Sequence, residues 1–130
     1  MNKAAQFLRD CGTFYLATED NGQPRVRPFG AVIEYEGKTY LCTNNTKNCF
    51  KQMKKNPKVE ICGTKGGEWI RITGEAAADP RTEVKERMLE ETPSLKNIYR
   101  ADDGIFEVLY LKNATATISS FTAEPETFPL

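Results

Sequence analysis

The hydrophobic positions at the start of the chain recur at the spacing of a helix. Four small or apolar residues share one helical face: Ala4, Ala5, Leu8 and Cys11. Gly12 is placed to end this helix, because glycine readily adopts the conformation needed at a helix C-terminus. Residues 13–18 then form a run typical of a β-strand, and the turn sequence at residues 20–22 predicts where that strand ends.

From residue 25 onward the pattern changes to alternation, which is typical of strands that bury one face. Residues 25–35 are predicted to form one such strand. A tight turn at residues 36–38 leads to a further strand over residues 39–43. Because these connections are short, they predict an antiparallel meander.

The helical period returns over residues 46–55, where an apolar stripe recurs every three to four positions. Asn45 or Thr46 is predicted to cap the start of this helix. The Asn56-Pro57 dipeptide ends it, since the residue before a proline avoids the helical conformation.

The second half of the chain predicts long strands and one more helix. Strands are expected over residues 58–64, 68–78 and 105–119. A helix is expected over residues 80–91, capped by Asp79 and begun by Pro80. Residues 122–130 are predicted to be a tail. About six antiparallel strands with two or three helices indicate a single mainly β, α+β domain over residues 1–130, closed into a small barrel.

Composition narrows the classes of function. The chain carries 18 Lys and Arg against 18 Asp and Glu, so it has no global field that attracts nucleic acid or an anionic membrane. The N-terminus lacks the apolar core of a signal peptide, and no window reaches the apolar length of a membrane helix. A cytoplasmic protein without a nucleic-acid or membrane partner is therefore expected.

Histidine is absent from the sequence. This excludes Ser-His-Asp and Cys-His nucleophiles, the usual zinc sites and histidine-ligated haem. The cysteines include no C-x-x-C pair, and Cys42 and Cys62 lie in strand-like runs where a small buried hydrophobe is expected. No metal site and no catalytic side chain are assigned. A small chain of this kind is a good candidate for chemistry carried by a bound cofactor.

The strongest local signal is the junction between a strand and a helix at residues 42–48. A helix N-terminus exposes unpaired N–H groups and the positive end of the dipole, which suits a phosphate. Hydroxyl, amide and cationic side chains gather there: Thr43, Asn44, Thr46 and Lys47. The alternative is that Asn45 and Thr46 only cap the helix and Lys47 is solvated.

Arg25 and Arg27 form a second constellation, because they share one face of a strand and can converge on one anion. Pro24 and Pro28 remove donors from the strand, which favours an edge where backbone stays free for a ligand. The alternative is an edge strand that charge and proline protect from aggregation.

Two further features are candidates for binding. The predicted helix carries Gln52 and three lysines, Lys51, Lys54 and Lys55. Lys54 and Lys55 are explained by a solvated helix face, whereas Lys51 lies one turn from the candidate phosphate site at residues 42–48. Trp69 lies on a strand face that is otherwise polar. A large aromatic residue there indicates either a dimer interface, which we favour, or a platform for a ligand.

The order of these motifs resembles the FMN-binding split-barrel family, whose members are similar to pyridoxamine 5′-phosphate oxidase. The likeness covers roughly residues 7–119. Four stretches carry it: GQPRVRP at residues 22–28, TNNTKN at residues 43–48, the Asn56-Pro57 dipeptide, and EWIRITGE at residues 68–75.

The resemblance implies a six-stranded antiparallel split barrel with two to three flanking helices, and a homodimer with FMN at the subunit interface. It implies that Arg27 and Lys47 hold the phosphate of FMN. The other implied cofactor contacts are Arg25, Pro28 and Phe29 along the isoalloxazine ring, Thr43, Asn44, Thr46 and Asn48 around the phosphate and ribityl chain, Lys51 and Gln52 from the helix, and Trp69 near the partner subunit.

The true oxidase carries a C-terminal segment with tryptophan and arginine or histidine that grips pyridoxal phosphate, and residues 121–130 contain nothing of that kind. Vitamin B6 oxidation is therefore not expected. The expected function is an FMN-dependent oxidoreductase that passes electrons from a reduced nicotinamide or similar donor to a small acceptor, such as a flavin, a nitro compound or a quinone. The alternative is a non-catalytic protein that binds flavin, deazaflavin or a haem-type cofactor.

Overall fold

Eight strands and three α-helices make up the structure, a computed structural model that describes all of residues 1–130. The helices are α1 (Lys3–Cys11), α2 (Asn48–Lys55) and α3 (Thr82–Glu91), and a short 3₁₀ helix (Pro93–Asn97) follows α3. The strands are β1 (Phe14–Asp20), β2 (Gln23–Phe29), β3 (Ile33–Tyr35), β4 (Lys38–Asn44), β5 (Lys58–Lys65), β6 (Glu68–Asp79), β7 (Phe106–Ser120) and β8 (Glu126–Pro129).

All eight strands belong to one antiparallel sheet with the order β2-β1-β5-β6-β7-β4-β3, and β8 pairs with β7. The long strand β7 pairs with β6 along one edge. Its other edge pairs with β4 in the first half and with β8 in the second half. The end strands β2 and β3 do not pair with each other, so the sheet stays open between them, as in a split barrel, and the expected closure is wrong. The expected mainly β, α+β class is confirmed.

Two hydrophobic clusters hold the end of β4 in place. Leu41 belongs to the larger cluster of 20 buried residues, which also includes residues of α1 and α2. Tyr40 belongs to a second cluster of eight, which includes the buried side of α3. Because successive side chains of a strand point to opposite faces, both faces of β4 are packed. The strand therefore delivers its last residues to a fixed position.

Helix α1 shows how local sequence produces an element that the pattern predicts. The side chain of Asn2 accepts a hydrogen bond from the Ala5 backbone N–H at 2.7 Å and so caps the N-terminus. Gly12 ends the helix with a φ of 76°, a conformation that glycine adopts without strain. The predicted helix is confirmed, as are the strands expected over residues 58–64, 68–78 and 105–119, each within a few residues of its observed ends.

The single strand expected over residues 25–35 is wrong, and so is the meander. This stretch contains two strands, β2 and β3, that lie at opposite edges of the sheet, where β2 pairs with β1 and β3 with β4. Between them, Ala31 and Val32 are both buried although they are adjacent. A strand that buries one face cannot bury two successive side chains, so the alternation must break there.

Both predicted helix caps are wrong in detail. Helix α2 begins at Asn48, and neither Asn45 nor Thr46 caps it. The Asn45 side chain instead donates hydrogen bonds to Gly104 and Glu107 across the fold. Helix α3 begins at Thr82, so Asp79 does not cap it. Asp79 is instead the last residue of β6, and its carboxylate accepts a hydrogen bond from the Arg81 backbone N–H at 3.1 Å.

The tail expected at residues 122–130 is also wrong in part, since it contains β8. Phe128 packs against the larger cluster, and Lys3 forms an ion pair with Glu126 at 2.6 Å. This strand and the division of residues 25–35 explain why the sheet has eight strands where six were expected. None of the helices has the length and apolar character needed to cross a membrane.

Candidate cofactor site

A cavity of about 330 Å³ lies in the split of the barrel, between β2 and the end of β4. Strand β3 covers β4 only as far as Tyr40, so residues 41–44 have a strand partner on one side only. Strand β2 likewise pairs only with β1. The open edges therefore offer backbone N–H and C=O groups to a ligand.

Arg27 projects from β2 into this cavity, and neighbouring side chains fix its orientation. Its guanidinium donates hydrogen bonds to Thr18 Oγ1 at 2.9 Å and to Gln52 Oε1 at 2.8 Å. It also donates to the Leu16 carbonyl at 3.3 Å. None of these acceptors is a carboxylate, so the charge of Arg27 has no counter-ion within the chain.

Lys47 is the second cation of the cavity, and it also forms no ion pair. It directly precedes α2, where the unpaired N–H groups of the first turn add to the positive potential. No aspartate or glutamate lines the cavity. Two uncompensated cations facing one space are suited to a phosphate or another anion.

The loop between β4 and α2 is ordered by Asn44. Its Oδ1 accepts hydrogen bonds from the Thr46 backbone N–H at 3.0 Å and from Thr46 Oγ1 at 2.6 Å. Its Nδ2 donates to the Tyr99 hydroxyl at 2.7 Å. Asn44 and Thr46 therefore shape the loop that presents Lys47. Thr43, one residue earlier, lines the cavity itself.

Five of the expected cofactor residues line one cavity: Arg27, Pro28, Phe29, Thr43 and Lys47. Three others, Asn48, Lys51 and Gln52, line an adjoining polar groove together with Glu19 and Asp20. Gln52 connects the two spaces, because its side chain accepts the hydrogen bond from Arg27.

Arg25 and Trp69 do not line the cavity. Arg25 turns to Asp20, with Nε 3.3 Å from a carboxylate oxygen. Trp69 lies at the start of β6, where its ring packs against Phe121 with 5.1 Å between the ring centroids. Within one chain, neither side chain is brought to the cations of the site.

The sequence interpretation missed the wall that follows α3. This wall consists of Thr92, Ser94, Leu95, Ile98 and Tyr99. Leu95, Ile98 and Tyr99 recur at the i, i+3, i+4 spacing of a helical turn, a signal that could have identified an apolar face there. With Phe29 and Ala31, these side chains give the cavity an apolar lining in addition to its cations.

The thiols near the cavity are poor nucleophiles. Burial raises the pKa of Cys42 to about 12, against the smaller opposite effect of Lys47. Burial also raises the pKa of Cys49. Both thiols are therefore protonated at neutral pH. The expectation that Cys62 is buried is wrong, because its side chain lies on the exposed outer face of β5.

The donor set fits FMN. Arg27 and Lys47 suit its phosphate, hydroxyl side chains such as Thr43 suit its polyol chain, and the apolar side suits its planar ring. The set does not suit haem equally well. The chain has no histidine, and burial holds the two cavity thiols in the protonated form, which is not the form that ligates iron.

Several known proteins are similar to this chain. The family model for pyridoxamine 5′-phosphate oxidase matches residues 1–117. The crystal structure of a NimC/NimA family protein from Clostridium acetobutylicum is similar over 98% of this chain and 90% of that chain, with 62% identity and a TM-score of 0.96. No curated protein sequence matches the chain.

Two more distant structures share the fold. One is a pyridoxamine 5′-phosphate oxidase-related, FMN-binding protein from Nostoc punctiforme, with 14% identity, a TM-score of 0.68, and coverage of 97% of this chain and 91% of that one. The other is a haem-binding protein from Mycobacterium smegmatis, with 15% identity, a TM-score of 0.74, and coverage of 99% and 59%. At these identities the likeness concerns the fold alone.

Proposed function

We propose that this chain, which belongs to the pyridoxamine 5′-phosphate oxidase family, is an FMN-binding oxidoreductase. The chain also belongs to the NimC/NimA family, as does its relative with 62% identity. One observation carries the choice of FMN. Arg27 and Lys47 face the cavity in the barrel split, and no carboxylate lines that cavity. An anionic ligand with a planar apolar part satisfies both the cationic and the apolar sides.

In this proposal Arg27 and Lys47 bind the phosphate of FMN. Thr18 and Gln52 hold Arg27 in place before the ligand arrives, so little side-chain entropy is lost on binding. Thr43, Asn44, Thr46 and Asn48 surround the phosphate and the polyol chain, and Lys51 supports them from α2. Pro28 and Phe29 lie along the ring.

Bound flavin supplies hydride and single-electron transfer at its ring. The chain contributes binding, orientation and a partly apolar surrounding, since no ionised nucleophile or histidine is available near the cavity. We propose a reduced nicotinamide or similar electron donor, and a flavin, nitro compound or quinone as acceptor. Oxidation of vitamin B6 is not proposed.

Anaerobic reduction of the bound flavin tests this activity. Protein loaded with FMN is mixed with NADH or NADPH while the flavin absorbance is followed, and a quinone such as menadione is then added. Loss of absorbance faster than with free FMN, followed by recovery on adding menadione, is expected. Retained flavin that neither nucleotide reduces would contradict turnover and support the alternative of a non-catalytic flavin- or deazaflavin-binding protein.

A homodimer with FMN at the subunit interface is the second part of the proposal. The outer face of the sheet exposes Tyr15 and Val26, with 50% and 69% of their surface accessible. On the same sheet face Trp69 packs against Phe121, which is 93% exposed. An apolar surface of this kind is typical of a protein–protein interface. Trp69, which does not reach the cavity of its own chain, would contact FMN from the partner's side, and Arg25 would lie along the isoalloxazine ring.

Haem is the second candidate ligand, because a protein with this fold binds it. The side chains around the cavity favour FMN instead. They include no histidine, and the pKa of the Cys42 thiol lies far above neutral pH. A haem bound here would lack its usual axial ligands.

A further inference from the structure

The segment that follows α3 forms the outer wall of the cavity, and its Leu95, Tyr99 and Ala101 side chains pack against the smaller hydrophobic cluster. Residues 93–101 make local backbone hydrogen bonds, such as Ile98 N–H to the Leu95 carbonyl at 3.1 Å. A single hydrogen bond joins them to a distant part of the chain, from Asn44 Nδ2 to the Tyr99 hydroxyl at 2.7 Å. The Tyr99 ring also packs on Phe106, with 4.9 Å between the centroids.

This bond places the Tyr99 hydroxyl beside the loop that carries Lys47. Asn44 donates from Nδ2 to the Tyr99 hydroxyl and accepts at Oδ1 from the Thr46 backbone N–H, so one residue bonds to both the wall and the loop. The hydroxyl oxygen of Tyr99 is an acceptor in this bond. Its own proton has no acceptor within the chain, and Tyr99 lines the cavity.

The wall carries further donors of the same kind. Thr92 and Ser94 line the cavity, and neither hydroxyl forms a hydrogen bond within the chain. Together with Tyr99 they face a space that contains two cations and no carboxylate. These accessible hydroxyls are free to donate to a ligand rich in oxygen, and phosphate and polyol oxygens provide such acceptors.

We infer that residues 92–99 are part of the ligand site and that the Tyr99 hydroxyl donates a hydrogen bond to the phosphate end of the bound ligand. This inference rests on the proposed flavin site and extends it to a segment outside the motifs of the barrel strands. Asn44 orients the phenol by donating to its oxygen, which leaves the proton of the phenol for the anion. Ser94 and Thr92 supply additional donors along the same wall.

Three flavins of increasing length test where Tyr99 acts: lumiflavin, which has the isoalloxazine ring with only a methyl group on it; riboflavin, which has the ribityl chain instead; and FMN, which adds the phosphate. Dissociation constants are measured by fluorescence titration for the wild type, for Tyr99→Phe and for Tyr110→Phe. Tyr110 is the matched control, because it lies outside the cavity and its hydroxyl forms no hydrogen bond within the chain.

Tyr99→Phe is expected to weaken FMN binding about tenfold, the size typical of a hydrogen bond to a charged group, and to change lumiflavin binding less than about twofold. Tyr110→Phe is expected to change neither. An equal loss for lumiflavin and FMN would overturn the inference, since Tyr99 would then only shape the wall. Unchanged FMN binding in Tyr99→Phe would overturn it as well. If the wild type binds no FMN, the proposed function fails together with the inference, and that outcome is distinct from the other two.

Discussion

Arg27 shows how single residues prepare the site. An arginine on an exposed edge strand usually moves freely in water, but here Thr18 and Gln52 hold the guanidinium from two elements, β1 and α2. Arg25, two residues earlier on the same face, is neutralised by Asp20. The strand pattern predicted only that both arginines share a face and can converge on one anion. The difference between them comes from their neighbours, which a strand pattern does not reveal.

The pKa of Asp79 is shifted further than that of any other carboxyl, and we therefore expect the stability of the fold to depend on pH. It is buried, accepts a hydrogen bond from Tyr40 at 2.7 Å, and pairs with Arg81 at 2.9 Å. The hydrogen bonds from Arg81, with a smaller contribution from Tyr40, lower the pKa of Asp79 to about 2. A carboxyl with a lower pKa in the folded state stabilises the fold above its unfolded pKa, near 4, and this stabilisation is lost as the pH falls toward 2.

We therefore expect Asp79→Asn to lower the free energy of unfolding at pH 7 by about 2 kcal/mol, and the difference from wild type to shrink between about pH 4 and pH 2. Urea unfolding at pH 7, 4 and 2.5 measures this. Asp102→Asn is the control, because Asp102 is exposed and forms no ion pair. A difference that stays constant down to pH 2.5 would show that the effect of Asp79→Asn does not come from the charge.

At the scale of elements, the sequence predicted those whose signals are local. Helix α1 and the β5–β6 hairpin were predicted because their own residues, Gly12 and the Gly66-Gly67 turn, end or connect them. The order of strands in the sheet was not predictable in this way. It depends on which distant strands pair, and adjacent hairpins in the chain lie at opposite edges. Strand β8 was missed because its pairing with β7 is its main support.

In the candidate site, too, the parts with local sequence signals were predicted and the parts that depend on distant contacts were not. The cations and the loop at residues 43–48 were predicted from local motifs, and the cavity contains Arg27, Thr43 and Lys47 as expected. The wall at residues 92–99 was not predicted. It reaches the site through a contact between Asn44 and Tyr99, which are 55 residues apart in sequence. Such a contact follows from the packing of α3 and the adjoining segment and not from any motif.

The irregular pairing of β6 with β7, where Gly74 lies opposite two residues of β7, gives a prediction at this scale. The register with β7 shifts between Thr73 and Glu75, and a side chain on Gly74 would meet Ala114 Cβ at 2.7 Å. Gly74→Ala is therefore expected to destabilise the protein by about 1–3 kcal/mol, because the backbones of β6 and β7 must separate. Gly67→Ala is the matched control, since its added methyl group contacts nothing. Chemical denaturation of both variants measures the difference, and equal stability would show that β7 adjusts freely at this point.

For the whole molecule, the open sheet creates both the cavity and the outer surface that we assign to the dimer. We expect the double variant Tyr15→Glu, Val26→Glu to shift the protein to a monomer and to weaken FMN binding, because charges would be buried in an apolar interface. Light scattering after size-exclusion chromatography measures the oligomeric state. Thr82→Glu, an exposed change at the start of α3, serves as the control. A monomeric wild type, or a variant that remains dimeric, would contradict this interface.

We propose above all that the cavity between β2 and β4 binds FMN through Arg27 and Lys47. The most direct measurement is the visible absorption spectrum of the purified protein after incubation with excess FMN and desalting. Wild type and Lys54→Ala, which changes a lysine of α2 outside the cavity, are expected to keep a two-band flavin spectrum. Arg27→Ala combined with Lys47→Ala is expected to lose it, since charge-assisted hydrogen bonds of this kind contribute about 1.5–3 kcal/mol each. A wild type that retains no flavin, or a double variant that retains as much as the wild type, would contradict the account.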